Sequence, residues 1–220
     1  TYAPLPYLEE VYRSALDHSD VCGISIATRP DCLGIEVLDL LAKLRDEYPG
    51  KFLWIELGLQ TIHEDTANYI RRGYPLSCFE QACADLKALQ IPFIVHTILG
   101  LPGETNAQVL RTMDYLNRIQ PFGIKLQLLH VLKDTDLADD YLAGKFEALT
   151  FDAYIDLVIS CLAHLSPDIV IHRVTGDGPK NLLIAPTWSM DKRGVLNELH
   201  HRMKKQGIRQ GDLFQKDNYS

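Results

Sequence analysis

The sequence predicts an α/β fold in which a parallel sheet is covered by helices. Two observations carry this. Apolar runs of strand length alternate regularly with stretches of helical periodicity. The strand runs are near-continuously apolar, as strands covered on both faces are. The alternation leaves two architectures open, an open doubly wound sheet and a (β/α) barrel, and in both the chemistry sits at the carboxyl ends of the strands. Five strand runs are too few for a closed eight-stranded barrel.

Leu8, Val11, Tyr12, Ala15 and Leu16 recur at helical spacing after Pro4 and Pro6, which predicts the first helix. Val21 to Ala27 is the first strand, stopped at Thr28-Arg29-Pro30 because the residue before a proline avoids the helical region. Val37, Leu38, Leu41 and Leu44 mark a helix ended by Pro49-Gly50, and Phe52 to Leu59 is the second strand. Thr61 with Glu64, and Ser77 with Glu80, are spaced as capping boxes for two further helices, the second carrying Ala82, Leu86 and Leu89. Pro92 to Leu99 is the third strand, and Thr105 with Gln108 caps a helix through Ile119. Ile124 to Leu132 is the fourth strand, Thr150 opens a helix to Leu165, Ile169 to Val174 is the fifth strand, and a last helix spans Val195 to Lys205.

Composition narrows the classes. The 220 residues are 46% apolar and 23% charged, which excludes disorder, and 14 Gly with 11 Pro exclude collagen-like sequence. A net charge of −7 argues against polyanion binding by bulk charge. No apolar run approaches the ~20 residues of a membrane helix, so no membrane partner and a cytoplasmic location are expected. Five cysteines, at 22, 32, 78, 83 and 161, form no Cys-x2-Cys or Cys-x3-Cys pair and read as buried free thiols.

Several constellations carry chemistry. Glu56, Gly58 and Gln60 share one face of the second strand by its period of two, offering a carboxylate, open backbone and an amide to a polar ligand. Gly100-Leu101-Pro102-Gly103-Glu104 joins a strand to the Thr105-capped helix, a turn whose amides suit an anionic or hydrogen-bonding group. It is neither a Walker A loop nor Gly-x-Gly-x-x-Gly. His96, His130 and His172 lie in or after three successive strands, so a zinc site with Asp177 or Glu56 is an alternative. Lys192 to Arg209 holds six Lys or Arg against the single acid Glu198, a stripe that could follow a phosphate backbone or simply face solvent.

In order, Ile24-Ser25-Ile26-Ala27-Thr28-Arg29-Pro30-Asp31, Glu56-Leu57-Gly58-Leu59-Gln60-Thr61, Arg71-Arg72-Gly73 and His96-Thr97-Ile98-Leu99-Gly100-Leu101-Pro102-Gly103-Glu104-Thr105 resemble the radical S-adenosylmethionine enzymes. The pattern is similar to the oxygen-independent coproporphyrinogen oxidases and to the radical domain of elongator-type tRNA acetyltransferases. It is closer still to an uncharacterised bacterial group with Thr-Arg-Pro-Asp-Cys and a tail like Gly176-Asp177-Gly178-Pro179 to Leu183-Ile184-Ala185-Pro186-Thr187-Trp188. The resemblance covers essentially the whole chain.

The resemblance implies an incomplete parallel (β/α)6 barrel over residues 1–165 and a carboxyl-terminal extension over 166–220, with S-adenosylmethionine across the strand ends. Gln60 would contact the methionyl or ribose part, Arg72 the carboxylate, and the Gly100-Leu101-Pro102 turn the adenine. Ala27 and His96 stand where the oxidases carry acids, so Glu56 or Thr28 would substitute in ribose recognition. The implied cofactor-binding set is therefore Thr28, Arg29, Glu56, Gln60, Arg72, His96, Gly100, Leu101 and Pro102. The family's Cys-x3-Cys-x2-Cys loop for a [4Fe-4S] cluster is missing from the sequence, and the chain opens at Thr1 without Met. A fragment is expected, inactive alone, with the cluster cysteines upstream of Thr1. The intact enzyme would receive one electron from a donor protein and release a 5′-deoxyadenosyl radical, on an unassigned substrate with RNA a candidate class. Besides the zinc-dependent barrel hydrolase, the remaining alternative is a cluster-less homologue that binds S-adenosylmethionine or nucleic acid.

Overall fold

The computed structural model describes residues 1–176 and 178–215. The chain runs α1 (Leu5–Leu16), β1 (Gly23–Thr28), α2 (Ile35–Glu47), β2 (Phe52–Gln60), α3 (Glu64–Tyr69), α4 (Leu76–Ala88), β3 (Phe93–Leu99) and α5 (Asn106–Ile119). It continues through β4 (Gly123–Leu128), β5 (Val131–Leu132), α6 (Asp136–Leu142), α7 (Phe151–His164), β6 (Val170–Arg173), β7 (Leu183–Ala185) and α8 (Lys192–Gln206). Five strands form a sheet in the order β1-β2-β3-β4-β6, with β1 parallel to β2 and β4 parallel to β6. The order follows the chain without reversing. That is the winding of a (β/α) barrel, because a doubly wound sheet reverses at a switch point.

The chain divides into two compact units, Thr1–Leu59 with Gly73–His96, and Gln60–Arg72 with Thr97–Ser220. In the first, β2 buries Leu53, Ile55, Leu57 and Leu59, while Trp54, Glu56 and Gly58 between them stay half-buried. The apolar face meets a layer in which Leu41 and Leu44 of α2 and Phe79 and Leu86 of α4 are fully buried. The near-continuous apolarity expected of the strands therefore fails at β2, whose alternation leaves one polar face. In the second unit α5 packs on α7 and α7 on α8. Met113, Leu116, Ile124, Leu126, Tyr154 and Ile155 are among its fully buried residues. Asn117 is buried but satisfied, its Nδ2 donating to the His164 carbonyl and its Oδ1 accepting from the Ser166 N–H, both at 2.8 Å.

Other expectations need correction. The run 124–132 splits into β4 and β5, and β5 leaves the main sheet to pair antiparallel with β7. Helix α6 and strand β7 have no counterpart in the periodicity. Only the Thr105–Gln108 capping box forms. Pro75 takes the N-cap of α4, so Ser77 falls inside the helix. His63 takes the N-cap of α3, and the Thr61 hydroxyl instead donates to Glu104 and accepts from the His63 N–H. Of the five thiols, Cys83 and Cys161 are buried, Cys32 and Cys78 half-buried and Cys22 exposed.

These caps give opposite signs on substitution. Thr105→Ala should cost about 1 kcal/mol by loss of the reciprocal cap. Ser77→Ala should be neutral or stabilising by up to about 0.5 kcal/mol, since an exposed serine inside a helix is replaced by the best helix former. Urea denaturation of both variants measures the difference.

Candidate cofactor site

In the first unit the polar residues at the strand ends are tied to one another. Arg29 grips Asp31 through two hydrogen bonds, Nε to Oδ1 at 2.9 Å and Nη2 to Oδ2 at 2.6 Å, and lies 5.4 Å from the Tyr74 ring centroid. The pair holds the Asp31 carboxyl below its ordinary range and raises the Arg29 guanidinium. Thr28 meets the Thr1 hydroxyl, and its own hydroxyl lies 3.2 Å from the Arg29 carbonyl. The Tyr74 hydroxyl donates to the Gly58 carbonyl at 2.8 Å. On the polar face of β2, Glu56 uses both oxygens. Oε1 accepts from Ser25 of β1 and Oε2 meets Nε2 of His96 of β3, each at 2.7 Å.

In the second unit a cavity of about 680 Å³ is lined by Gln60, Arg72 and Leu101, with Ile98 and Leu129 as apolar wall and Tyr69, Arg71, Asp136 and Asp140 at its polar side. This is within the range of small-molecule sites. Gln60 has φ 61°, a left-handed conformation that non-glycine residues adopt at a cost and that recurs at functional positions. Arg72 has a fully buried side chain, with Nη1 donating to the Thr61 carbonyl at 2.8 Å and Nη2 to Glu64 at 2.9 Å. Neighbouring Arg71 is its opposite, exposed and paired with exposed Asp136. Asp140 accepts from Lys145 and from the Tyr69 hydroxyl, each at 2.6 Å, which lowers its carboxyl and raises the Tyr69 phenol.

The 100–104 turn holds Gly100 and Gly103 at φ 83° and 82°, and the Glu104 N–H donates to the Leu101 carbonyl at 3.1 Å. Leu101 reaches the cavity wall; Gly100 and Pro102 shape the turn behind it. A Cβ on Gly100 would lie 2.9 Å from Leu149 Cδ1, whereas one on Gly103 would meet nothing within 4 Å. Sequence reasoning missed Asp136 and Asp140 because helix α6 was not foreseen, and Tyr69 because nothing marked that end of α3 as facing a cavity. The acids of 134–140 were visible without a fold to place them.

The zinc alternative is not assembled. His96 is held by Glu56, His130 lies 3.2 Å from the Ser189 hydroxyl and is driven toward its neutral form by burial, and the His172 ring lies 5.7 Å from that of Phe122. Among the described residues no group of three or more His, Cys, Asp or Glu could hold a metal ion, and Asp177 lies outside them. In the basic stretch, Arg202 is held by Glu198, Asp152 and Asp156. No helix among the described residues is long and apolar enough to cross a membrane.

Comparison with known proteins agrees with this architecture. The Radical SAM superfamily model matches residues 1–116, and the Radical_SAM C-terminal domain model matches residues 121–205. The chain is 41% identical over 216 residues to the Bacillus subtilis (strain 168) protein YtqA, described as uncharacterized, covering 98% of this chain and 66% of YtqA. It is 28% identical over 210 residues to elongator complex protein 3 of Danio rerio, covering 93% of this chain and 36% of that protein. The archaeal Methanocaldococcus infernus Elp3 with an N-terminal deletion superposes with a TM-score of 0.78 at 17% identity, over 94% of this chain and 52% of that one. The chain thus spans less than two thirds of the length of these relatives.

The two turn glycines separate strain from crowding. Gly103→Ala should cost about 1–2 kcal/mol, the price of a left-handed alanine. Gly100→Ala should cost more, and Leu149→Ala should bring that excess back toward the Gly103 value. A double-mutant cycle by chemical denaturation tests the coupling.

Proposed function

The chain belongs to the radical S-adenosylmethionine superfamily, and from this premise we propose that the cavity of the second unit binds the methionyl end of S-adenosylmethionine. The observation that carries the reading is the joint presence of Gln60, Arg72 and Leu101 on one cavity. Their chemistry suits the cofactor: an amide for hydroxyls or the amino group, a guanidinium for the carboxylate, and an apolar wall for the ring. Arg72 donates to the Thr61 carbonyl and to Glu64, so the charge is fixed in place before a ligand arrives. Gly100 and Pro102 hold the backbone that presents Leu101.

When bound, S-adenosylmethionine supplies the adenosyl group whose radical abstracts a substrate hydrogen, with an electron from a [4Fe-4S] cluster and an electron-donor protein. The cluster's ligands are not found among the described residues, where the cysteines form no disulfide and no group of three or more His, Cys, Asp or Glu could hold a metal ion. Burial pushes the thiols of Cys83 and Cys161 up to about 12, against the thiolate form a ligand needs. The activity is therefore assigned to the whole enzyme. Its substrate class is proposed as RNA on the exposed cations Arg193, Lys204, Lys205 and Arg209 in and after α8.

Calorimetric titration of S-adenosylmethionine tests the site. Arg72→Ala should weaken binding by about 10–150-fold, the loss of a charge-assisted pair of about 1.5–3 kcal/mol. Arg71→Ala, whose exposed pair with Asp136 is worth about 0–1 kcal/mol, should leave affinity unchanged. Arg72→Lys, which keeps the charge and loses the fork, should fall between them. Equal affinities of the two alanine variants would remove Arg72 from the site.

A further inference from the structure

A second cavity, of about 520 Å³, lies in the second unit beside β6 and α8 and has no part in the cofactor reading. Its apolar wall includes Leu162 of α7 with Leu199 and Met203 of α8. Two features distinguish it from an ordinary packing gap. The Thr175 hydroxyl in its wall is buried, the residue 8% exposed, and among the described residues it makes no well-formed hydrogen bond, its contact with the Tyr154 hydroxyl falling short of one. An unsatisfied buried hydroxyl costs stability and calls for an explanation. The Tyr154 hydroxyl donates to the adjacent Val174 carbonyl at 2.6 Å, so the backbone carrying Thr175 is fixed. The second feature is charge. Arg173 and His200, both exposed, line the cavity, no acid does, and Arg173 makes no ion pair among the described residues. In a chain of net charge −7 this is a local cationic opening onto an apolar interior.

We propose that this cavity binds a small anionic amphiphile, a carboxylate carried on an apolar chain. The chain lies against Leu162, Leu199 and Met203. The carboxylate meets the Arg173 guanidinium and accepts from the Thr175 hydroxyl, giving that hydroxyl the well-formed hydrogen bond it lacks among the described residues.

The probes are decanoate and decylammonium, equal in chain length and opposite in charge, titrated calorimetrically below their micelle concentrations. Decanoate should bind and decylammonium should bind at least about tenfold more weakly. Arg173→Gln, on the surface, should weaken decanoate by about tenfold or more without moving the melting temperature. Thr175→Val gives the sharper signature, because it should weaken decanoate while raising the melting temperature of the free protein by about 2–4 °C. Met203→Trp should abolish binding by filling the space. The proposal is overturned by no measurable decanoate binding, by equal affinity for the two probes, by unchanged affinity in Arg173→Gln, or by a lowered melting temperature in Thr175→Val, which would mean that the hydroxyl was already satisfied.

Discussion

The buried guanidinium of Arg72 is the constraint on which the cofactor cavity depends. A charge taken out of water is costly unless paired and hydrogen-bonded, and breaking such a pair costs about 3–5 kcal/mol. Arg72 therefore has little freedom. It holds the Thr61 carbonyl and the Glu64 carboxylate, so the chain leaving β2 and entering α3 is fixed at both ends of one turn. Gln60, next to Thr61, is placed by the same clamp and carries its left-handed backbone there. The Thr61 hydroxyl extends the clamp to Glu104, which brings the 100–104 turn into register with the end of β2.

A second polar set, in the first unit, solves a related problem differently. Glu56 stands on a strand whose other face is fully apolar. Its carboxylate is only 13% exposed and spreads its charge over a hydroxyl from β1 and an imidazole from β3. Three neighbouring strands thus share one buried charge. The expected role of Glu56 in ribose recognition would fall to the lone pairs these two contacts leave on its oxygens. Thr28 and Arg29 are likewise engaged with Thr1 and Asp31.

Much of this was legible in the sequence, and the failures have particular causes. The strands β1 to β3 and the helices α1, α2 and α4 followed from apolar runs and spacing because each buries its own stripe, while α3 and α5 were read from their capping signals. The Thr105 cap was legible because both partners lie within one turn. Thr61 and Ser77 offered the same spacing and did not cap, since a carboxylate from a distant turn claimed one and a proline displaced the other. The break between β4 and β5 was invisible because the sequence is apolar on both sides of it, and only the antiparallel pairing of Val131 with Ala185 draws β5 away. Gln60, Arg72 and Leu101 were named from a motif. Their company on α6 could not be, because Asp136, Asp139 and Asp140 give that helix the look of a loop.

The bond between Thr61 and Glu104 joins residues 43 apart in sequence, and the chain between them leaves its unit at Arg72 and returns at Thr97. Bringing two such points together costs loop-closure entropy before any contact repays it. The cavity is therefore a non-local object, held by a contact that spans α4 and β3 in sequence, and not a locally encoded one like the Thr105 cap. The Thr105 cap, whose partners lie within one turn, carries no such closure cost.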